Sequence, residues 1–189
     1  MPFIAKSIKT GRRFDISEVE KPHELDKNDI ICPLCSEVMI VRAGPIRVHH
    51  FAHKSLCSSN YNSQPESQEH LLAKRYLSKE ISNIWSEYST ARIELEYIIE
   101  ECKRVADIAV IFPTGWIVAH EIQLSPITIN ELNERTKDYL SASVDVVWWL
   151  GNQADTESNR QWCLQNFGFC NSLDFIETQA DPKTIFGKH

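Results

Sequence analysis

Arg104-Val-Ala-Asp107-Ile-Ala-Val-Ile-Phe-Pro-Thr-Gly115-Trp-Ile-Val-Ala-His-Glu121-Ile-Gln123-Leu124 is the stretch that decides the fold. Two β-rich runs, Val105–Phe112 and Trp116–Leu124, flank Pro113-Thr-Gly115, and a Pro- and Gly-containing turn between such runs predicts a hairpin. Centring the turn on Thr114 pairs Phe112 with Trp116, Val110 with Val118 and Asp107 with Glu121, which sets two carboxylates opposite each other at about 5 Å between Cβ atoms. By alternation Asp107 shares its side with Val105, Ala109 and Ile111, and Glu121 shares its side with Ile117, Ala119 and Gln123. Two acids on otherwise apolar faces repel each other and resist burial unless a cation or a shared proton offsets them. A divalent ion that prefers oxygen ligands, Mg²⁺ or Mn²⁺, is the economical explanation. A different register, or neutralisation of Asp107 by Arg104, would remove the need for it.

Downstream, Ser125-Pro126 stops the second strand, and Thr128 with Glu131 three residues later reads as a capping box opening a helix through about Ser141. Val144–Leu150 (VDVVWWL) is a near-continuous apolar run, as expected of a central strand buried on both faces. Strand, helix, strand in that order implies a right-handed parallel crossover and an α/β fold with a mixed sheet. Leu132, Arg135 and Tyr139 share a face of the helix, so Arg135 either points inward toward a polyanion, as a substrate-binding residue, or is solvated. After Gly151 the polar run NQADTESNR predicts a surface segment, with a short helix near Trp162–Phe167.

Upstream, Ile93, Leu95, Tyr97 and Ile99 alternate with Arg92, Glu94 and Glu96, the pattern of a half-buried strand. Residues 66–88 predict a helix with Pro65 at its first position and Ser63 or Gln64 before it. Ala73, Leu77, Ile81, Ile84 and Tyr88 form its buried stripe. Glu66 falls at the centre of that stripe, with His70 and Lys74 within about 80° of it in successive turns. Three ionisable residues that continue an apolar face line a site, unless the first turns are exposed and carry only i,i+4 charge pairs. Glu69 lies further round.

Residues 1–62 differ in character and are set apart as a β-rich N-terminal domain, with 63–189 as the second domain. They offer short β-like pieces (Phe3-Ile4-Ala5, Phe14-Asp15-Ile16, Val38–Val41), much polar linker and little material for an apolar core. What they have instead is Cys32-Pro-Leu-Cys35 followed by His49-His50-Phe-Ala-His53-Lys-Ser-Leu-Cys57. A C-x2-C knuckle followed by a His/Cys group fits tetrahedral zinc. Cys32, Cys35, His53 and Cys57 are the expected ligands, with His50 as the substitute, because His53-x3-Cys57 has the usual finger spacing and His50-x2-His53 is tighter. A redox dithiol at Cys32 and Cys35 would need a βαβ context that this segment lacks.

The composition is that of a folded globular protein: 189 residues, 42% hydrophobic and 24% charged. A net charge of −6 counts against binding nucleic acid through overall basicity, though a local basic groove or a bound metal escapes that argument. The longest uncharged apolar run, Ile108–Ala119, is interrupted by Pro113-Thr-Gly115 and falls short of the roughly 20 residues that span a bilayer. Four apolar residues followed by cations do not make a secretory signal, so the expectation is a cytoplasmic protein whose six cysteines bind metal or stay free.

The motifs CPLC, HHFAHKSLC, PESQEHLLAK, RVADIAV, HEIQLSPITINELNERTKDYL and VVWWL, in that order over roughly residues 1–150, resemble the CoiA-like competence nuclease family. The combination HFAH, ES-x-x-H, R-x-x-D and E-x-Q-S is specific where each piece alone is weak. The resemblance implies a restriction-endonuclease-like core of the PD-(D/E)XK superfamily behind a small zinc-binding region, and work on DNA during uptake and recombination. It makes Asp107 and Glu121 the motif acids, puts Gln123 where the superfamily usually has Lys, and assigns Glu66 and His70 to the preceding helix. The tail after Gly151 lies outside it. The expected activity is Mg²⁺- or Mn²⁺-dependent hydrolysis of DNA, with Arg104 and Arg135 as candidate substrate contacts and Lys74 as a candidate replacement for the missing lysine charge. The alternative is a catalytically silent zinc-bearing module that binds DNA or a recombination or defence protein.

Overall fold

The computed structural model describes residues 2–59, 61, 66–176 and 183–188, with 175–176 and 183–188 as backbone. Among these, six strands form one mixed sheet: β6 (Arg92–Ile99), β7 (Arg104–Ile111), β8 (Ile117–Gln123), β9 (Asp145–Gly151), β10 (Asn171–Ile176) and β11 (Lys183–Lys188), side by side in that order. β6, β7 and β8 are antiparallel, β9 and β10 continue parallel to β8, and β11 returns antiparallel on the far edge. The turn at Pro113–Gly115 holds the expected register, with Val110 opposite Val118 and Ile108 opposite His120. Gly115 has φ +87°, a backbone conformation that a side chain disfavours.

Helices cover both faces of the sheet. α1 (Gln68–Ile84) packs with Leu71, Ala73, Leu77 and Ile81 on Leu95, Ile108, Val110, Val118, Ile122 and Trp149. Each fully buried aliphatic side chain here stabilises the fold by about 1.5–3 kcal/mol. α2 (Ile129–Ser141) covers the other face with Leu132 and Tyr139 against Ala119, Val146, Trp148 and Leu150. Thr128 and Glu131 form the complete capping box that the sequence predicts. The helix expected over 66–88 is shorter than its apolar period. Ser67 caps it by accepting the His70 N–H, and extended Trp85 ends it before a single 3₁₀ turn at Ser86–Thr90. The expected start at Pro65 lies outside the described residues.

The segment after Gly151 is part of the sheet architecture. α3 (Glu157–Phe167) closes with Gly168 at φ +77° and leads into β10. Gly151 itself has no room for a side chain, since a Cβ there would sit 2.8 Å from the Leu173 carbonyl oxygen.

The N-terminal residues form β1 (Ile4–Ser7), β2 (Arg13–Asp15), β3 (Ile30–Ile31), β4 (Ile40–Arg42) and β5 (His50–Ala52). Strands β2, β1 and β3 make one small sheet, while β4 and β5 form a hairpin. The expectation that this region lacks apolar core material needs correction. Phe3, Ile4, Ala5, Ile16, Ile30, Met39 and Phe51 are all buried, in the same cluster as the inner face of α1. Short strands separated by polar loops reach that burial by sharing the core of the larger sheet. The Phe3 and Ile4 N–H groups also donate to the Glu96 carboxylate at 2.8 and 3.1 Å, tying β1 to β6.

Candidate functional site

Two clusters of potential ligands form among the described residues. In the first, the ligand atoms of Cys32, Cys35, His53 and Cys57 all lie within 4.8 Å of one another. Cys32 and Cys35 sit on the turn between β3 and β4, where the Cys32 N–H bonds to the Glu37 carbonyl and the Ser36 N–H to the Cys32 carbonyl. His53 follows β5 directly, and its Nε2 is 3.2 Å from Cys35 Sγ. Burial pushes the Cys32 thiol up to about 12. Burial also works to raise Cys57, but hydrogen bonds with Ser59 and the neighbouring thiols bring it below its ordinary value. Three sulfurs and one imidazole nitrogen are the donor set of a closed structural zinc site. The substitute ligand His50 stands apart from this cluster: it is buried, and its Nδ1 lies 2.8 Å from the Val48 carbonyl.

The second cluster is Glu66, His70 and Asp107, again with ligand atoms within 4.8 Å. His70 projects from the first turn of α1 with Nδ1 2.9 Å from Glu66 Oε1. Its Nε2 is 3.2 Å from Asp107 Oδ2 and 2.9 Å from the Ile122 carbonyl oxygen. Asp107 Oδ2 also accepts the Ile122 N–H at 2.8 Å. Burial opposes protonation of His70, but Asp107 and Glu66 prevail and raise it to about 10. Burial would raise Glu66, yet Lys74 and His70 take it down to about 2. For Asp107, too, the cationic His70 outweighs burial and holds the carboxyl below the ordinary range. His70 in this state is an imidazolium that donates from both ring nitrogens.

Lys74, one turn further along α1, is fully buried, and its Nζ bonds Glu66 and, at 2.7 Å, Glu96. Despite burial, Glu96, Glu66 and Asp107 keep its pKa above the ordinary lysine value. Burial raises Glu96 more than Lys74 lowers it. The alternation of β6 placed Glu96 on a wet face. It sits instead at φ +49°, covered by β1, and the burial of β6 switches sides there: Leu95 faces α1, whereas Tyr97 and Ile99 face the α2 layer. The partner strand switches at the same level, with Ile108 toward α1 and Ala106 toward α2.

This switch corrects the expected face of Asp107. The register continues toward a pairing of Asp107 with Glu121, but Asp107 turns to the α1 side while Glu121 projects into the α2 layer. There Glu121 accepts the Tyr139 hydroxyl at 2.6 Å and pairs with Arg135. Burial pushes Glu121 up against the pull of Arg135, and the Asp107 charge adds to the rise. Arg135 also donates to Gln123 Oε1 at 3.0 Å and lies 4.7 Å over the Trp148 ring. The cation beside Gln123 is therefore Arg135, while Lys74 is held by Glu66 and Glu96. Arg104 bonds Asp138 on α2 at 2.7 Å and does not neutralise Asp107 locally. The participants not foreseen in the sequence are Glu96, Tyr139 and the Ile122 carbonyl. Tyr139 was readable as a neighbour of Arg135 on one helical face, whereas the other two depend on long-range packing and backbone geometry.

A mixed α/β sheet with a half-buried carboxylate–imidazole cluster at the open end of a central hairpin, together with a separate Cys3His cluster, defines an α/β protein with two groups of side chains that could each hold a metal ion. Residues 66–182 match the domain described as "Competence protein CoiA, nuclease-like domain", and residues 15–62 match "Competence protein CoiA, N-terminal domain". The chain belongs to the CoiA competence protein family. The matched region runs past Gly151 to residue 182, so most of the tail placed outside the resemblance falls within the nuclease-like domain. A curated relative, "Competence protein CoiA" of Bacillus subtilis (strain 168), is 25% identical over 138 residues, covering 73% of this chain and 35% of the relative. The chain thus aligns with about a third of that relative's length. No solved structure matches. No helix among the described residues is long and apolar enough to cross a membrane.

Proposed function

We propose that this protein is a metal-dependent nuclease that hydrolyses DNA phosphodiester bonds in a competence-related role, acting in the cytoplasm. The observation that carries the reading is the convergence of Glu66, Asp107 and the Ile122 carbonyl on one ring nitrogen system, that of His70, at the end of the β7–β8 hairpin. Two carboxylates and a carbonyl are hard oxygen donors suited to Mg²⁺ or Mn²⁺, and an imidazole in the set favours Mn²⁺ of the two. A divalent ion held there would lower the pKa of an attacking water and neutralise charge developing on the phosphate.

The chain's own residues divide the remaining work. Glu66 and Asp107 would hold the ion, and His70, charged in the metal-free protein, would release a proton as the ion binds. Lys74 and Glu96 fix Glu66 from behind. Arg135 would supply the positive charge that Gln123 cannot, and Gln123, whose Nε2 donates to the Ser125 carbonyl and hydroxyl and whose Oε1 accepts from Arg135, would hold that guanidinium in position. Glu121 anchors Arg135 and Tyr139 and is not one of the three residues whose ligand atoms cluster at Glu66, His70 and Asp107. The Cys32, Cys35, His53 and Cys57 site would hold structural zinc, since a closed four-ligand cage has no open position for chemistry.

The second reading is a catalytically silent module that binds DNA or a recombination or defence protein. It is favoured by one observation: Glu121, the second motif acid, is already engaged by Arg135 and Tyr139. Incubating plasmid and single-stranded DNA with Mg²⁺ or Mn²⁺, with Arg135→Met and Glu121→Gln alongside the parent, separates the two. The nuclease reading expects cleavage by the parent and at least 10²-fold loss in Arg135→Met. No cleavage with either metal supports the silent module.

A further inference from the structure

A cleft of about 280 Å³ lies where the β4–β5 loop meets α1 and β1. Its rim carries Arg47 and His49 from the loop and Arg75 from α1, and Phe3 contributes to its lining. Arg47 and Arg75 are exposed, and no carboxylate pairs with either among the described residues. The whole stretch between Glu37 and Glu66 contains no acid, although the chain carries a net charge of −6. The positive charge of this wall is therefore local, and the acids near the cleft are Asp15, Glu18 and Glu20 on the segment that supplies Ile16, Ser17 and Val19 to the facing wall.

The cleft is also fixed relative to the acidic cluster. The Val48 N–H donates to Gln68 Oε1 at 3.0 Å, pinning the loop to the first turn of α1, two residues from both Glu66 and His70. Arg75 is five residues beyond His70, about 7–8 Å along the helix axis. Phe3 lies under Lys74, whose Nζ is 5.4 Å from the ring centroid and bonds Glu66. Below the loop, His53 follows β5 directly and joins the Cys3His cluster, so a metal there would hold the root of the hairpin.

We propose that this cleft is the docking site for the phosphodiester backbone of a DNA strand, with Arg47 and Arg75 each contacting a phosphate and His49 donating a hydrogen bond. This rests on the DNA reading above and adds to it the place where the strand enters. Guanidinium groups suit the task because they present a planar fork to phosphate oxygens and stay charged. The contacts carry no sequence information, so binding there is insensitive to sequence.

The test uses the full chain, a fluorescein-labelled 20-nucleotide DNA in single- and double-stranded form, and fluorescence anisotropy in EDTA-free buffer with Ca²⁺ between 50 and 200 mM salt. The Arg47→Ala/Arg75→Ala variant should bind roughly tenfold or more weakly than the parent, and its log–log salt slope should fall by about 2, one for each phosphate contact removed. Lys137→Ala, an exposed charge on α2, should leave affinity and slope unchanged apart from a small general effect. Circular dichroism and metal content should match the parent in each variant. If the parent binds DNA and the double variant binds equally well with the parent's slope, the cleft assignment is overturned while the DNA reading stands. If the parent binds neither DNA form, the DNA reading itself fails and the cleft assignment fails with it.

Discussion

Replacing Lys74 by Met keeps the bulk of the stem and removes only the charge between Glu66 and Glu96. Lys74 is fully buried, and both carboxylates are largely buried, so the variant leaves Glu96 without its cation and Glu66 with His70 alone. Breaking a buried ion pair from one side costs about 3–5 kcal/mol, which for a chain of this size lowers Tm by roughly 6–20 °C. The deficit should depend on pH in a definite direction. Burial already holds Glu96 above its ordinary value, and without Lys74 it rises further. A carboxylate raised in the folded state contributes stability that is fully present below its unfolded pKa and is lost as pH rises through its folded pKa. The gap between variant and parent should therefore be small near pH 5 and widen toward pH 8. Adding Glu96→Gln to Lys74→Met should recover part of the loss, with a coupling of about 0.5–3 kcal/mol in a double-mutant cycle. Urea denaturation of the three variants at pH 5 and pH 8 measures all of this. A Lys74→Met deficit under about 1 kcal/mol at pH 8, or one equal at both pH values, would refute the claim that this ammonium neutralises the buried acids.

Protein purified without added metal should carry near one zinc per chain by elemental analysis. Cys32→Ser should lose that zinc and make β3–β5 sensitive to proteolysis, and unchanged protease resistance in the zinc-free variant would contradict a structural role. In metal-free protein, the stability contributed by His70 should be complete below about pH 6.5 and decline toward about pH 10, because its folded pKa is raised to that value. His70→Gln should remove that decline, and a parent whose unfolding free energy is flat across the window would show that His70 is not held as a cation. Thr128→Ala should cost about 1 kcal/mol in urea by removing one arm of the α2 capping box, and an unaltered midpoint would mean the cap does not stabilise the helix.

The parts of the fold that were legible depend on local chemistry. Pro113 and Gly115 pin the hairpin, Thr128 and Glu131 open α2, and the VVWWL run has the apolar density of a central strand, so the β7–β8 register and the parallel β9 could be read directly. The face of Asp107 could not be read, because period-2 alternation assumes an unbroken strand. Here β6 and β7 both switch sides at the level of Glu96 and Asp107, and Glu96 takes a positive φ. Glu96 itself looked solvated because the element that covers it, β1, lies more than 90 residues away in sequence. The helix wheel gathered His70 and Lys74 on one side of α1, but Glu66 lies ahead of the Ser67 cap and reaches both from outside the helix, and the wheel could not say that Lys74 would also turn to Glu96 and leave Gln123 to Arg135. β3 and β5 are too short, at two and three residues, to leave a periodic signal.

The central claim is that Glu66 and Asp107 form a metal-dependent site for cutting DNA. The measurement that tests it most directly is cleavage of plasmid and single-stranded DNA, with Mn²⁺, Mg²⁺ or EDTA, by the parent, Asp107→Asn and Glu66→Gln, each confirmed as folded by its unfolding transition. The account predicts cleavage by the parent with a divalent ion, none in EDTA, and loss of at least 10²-fold in both variants. Cleavage at the parental rate by both folded variants would contradict it and place the chemistry elsewhere.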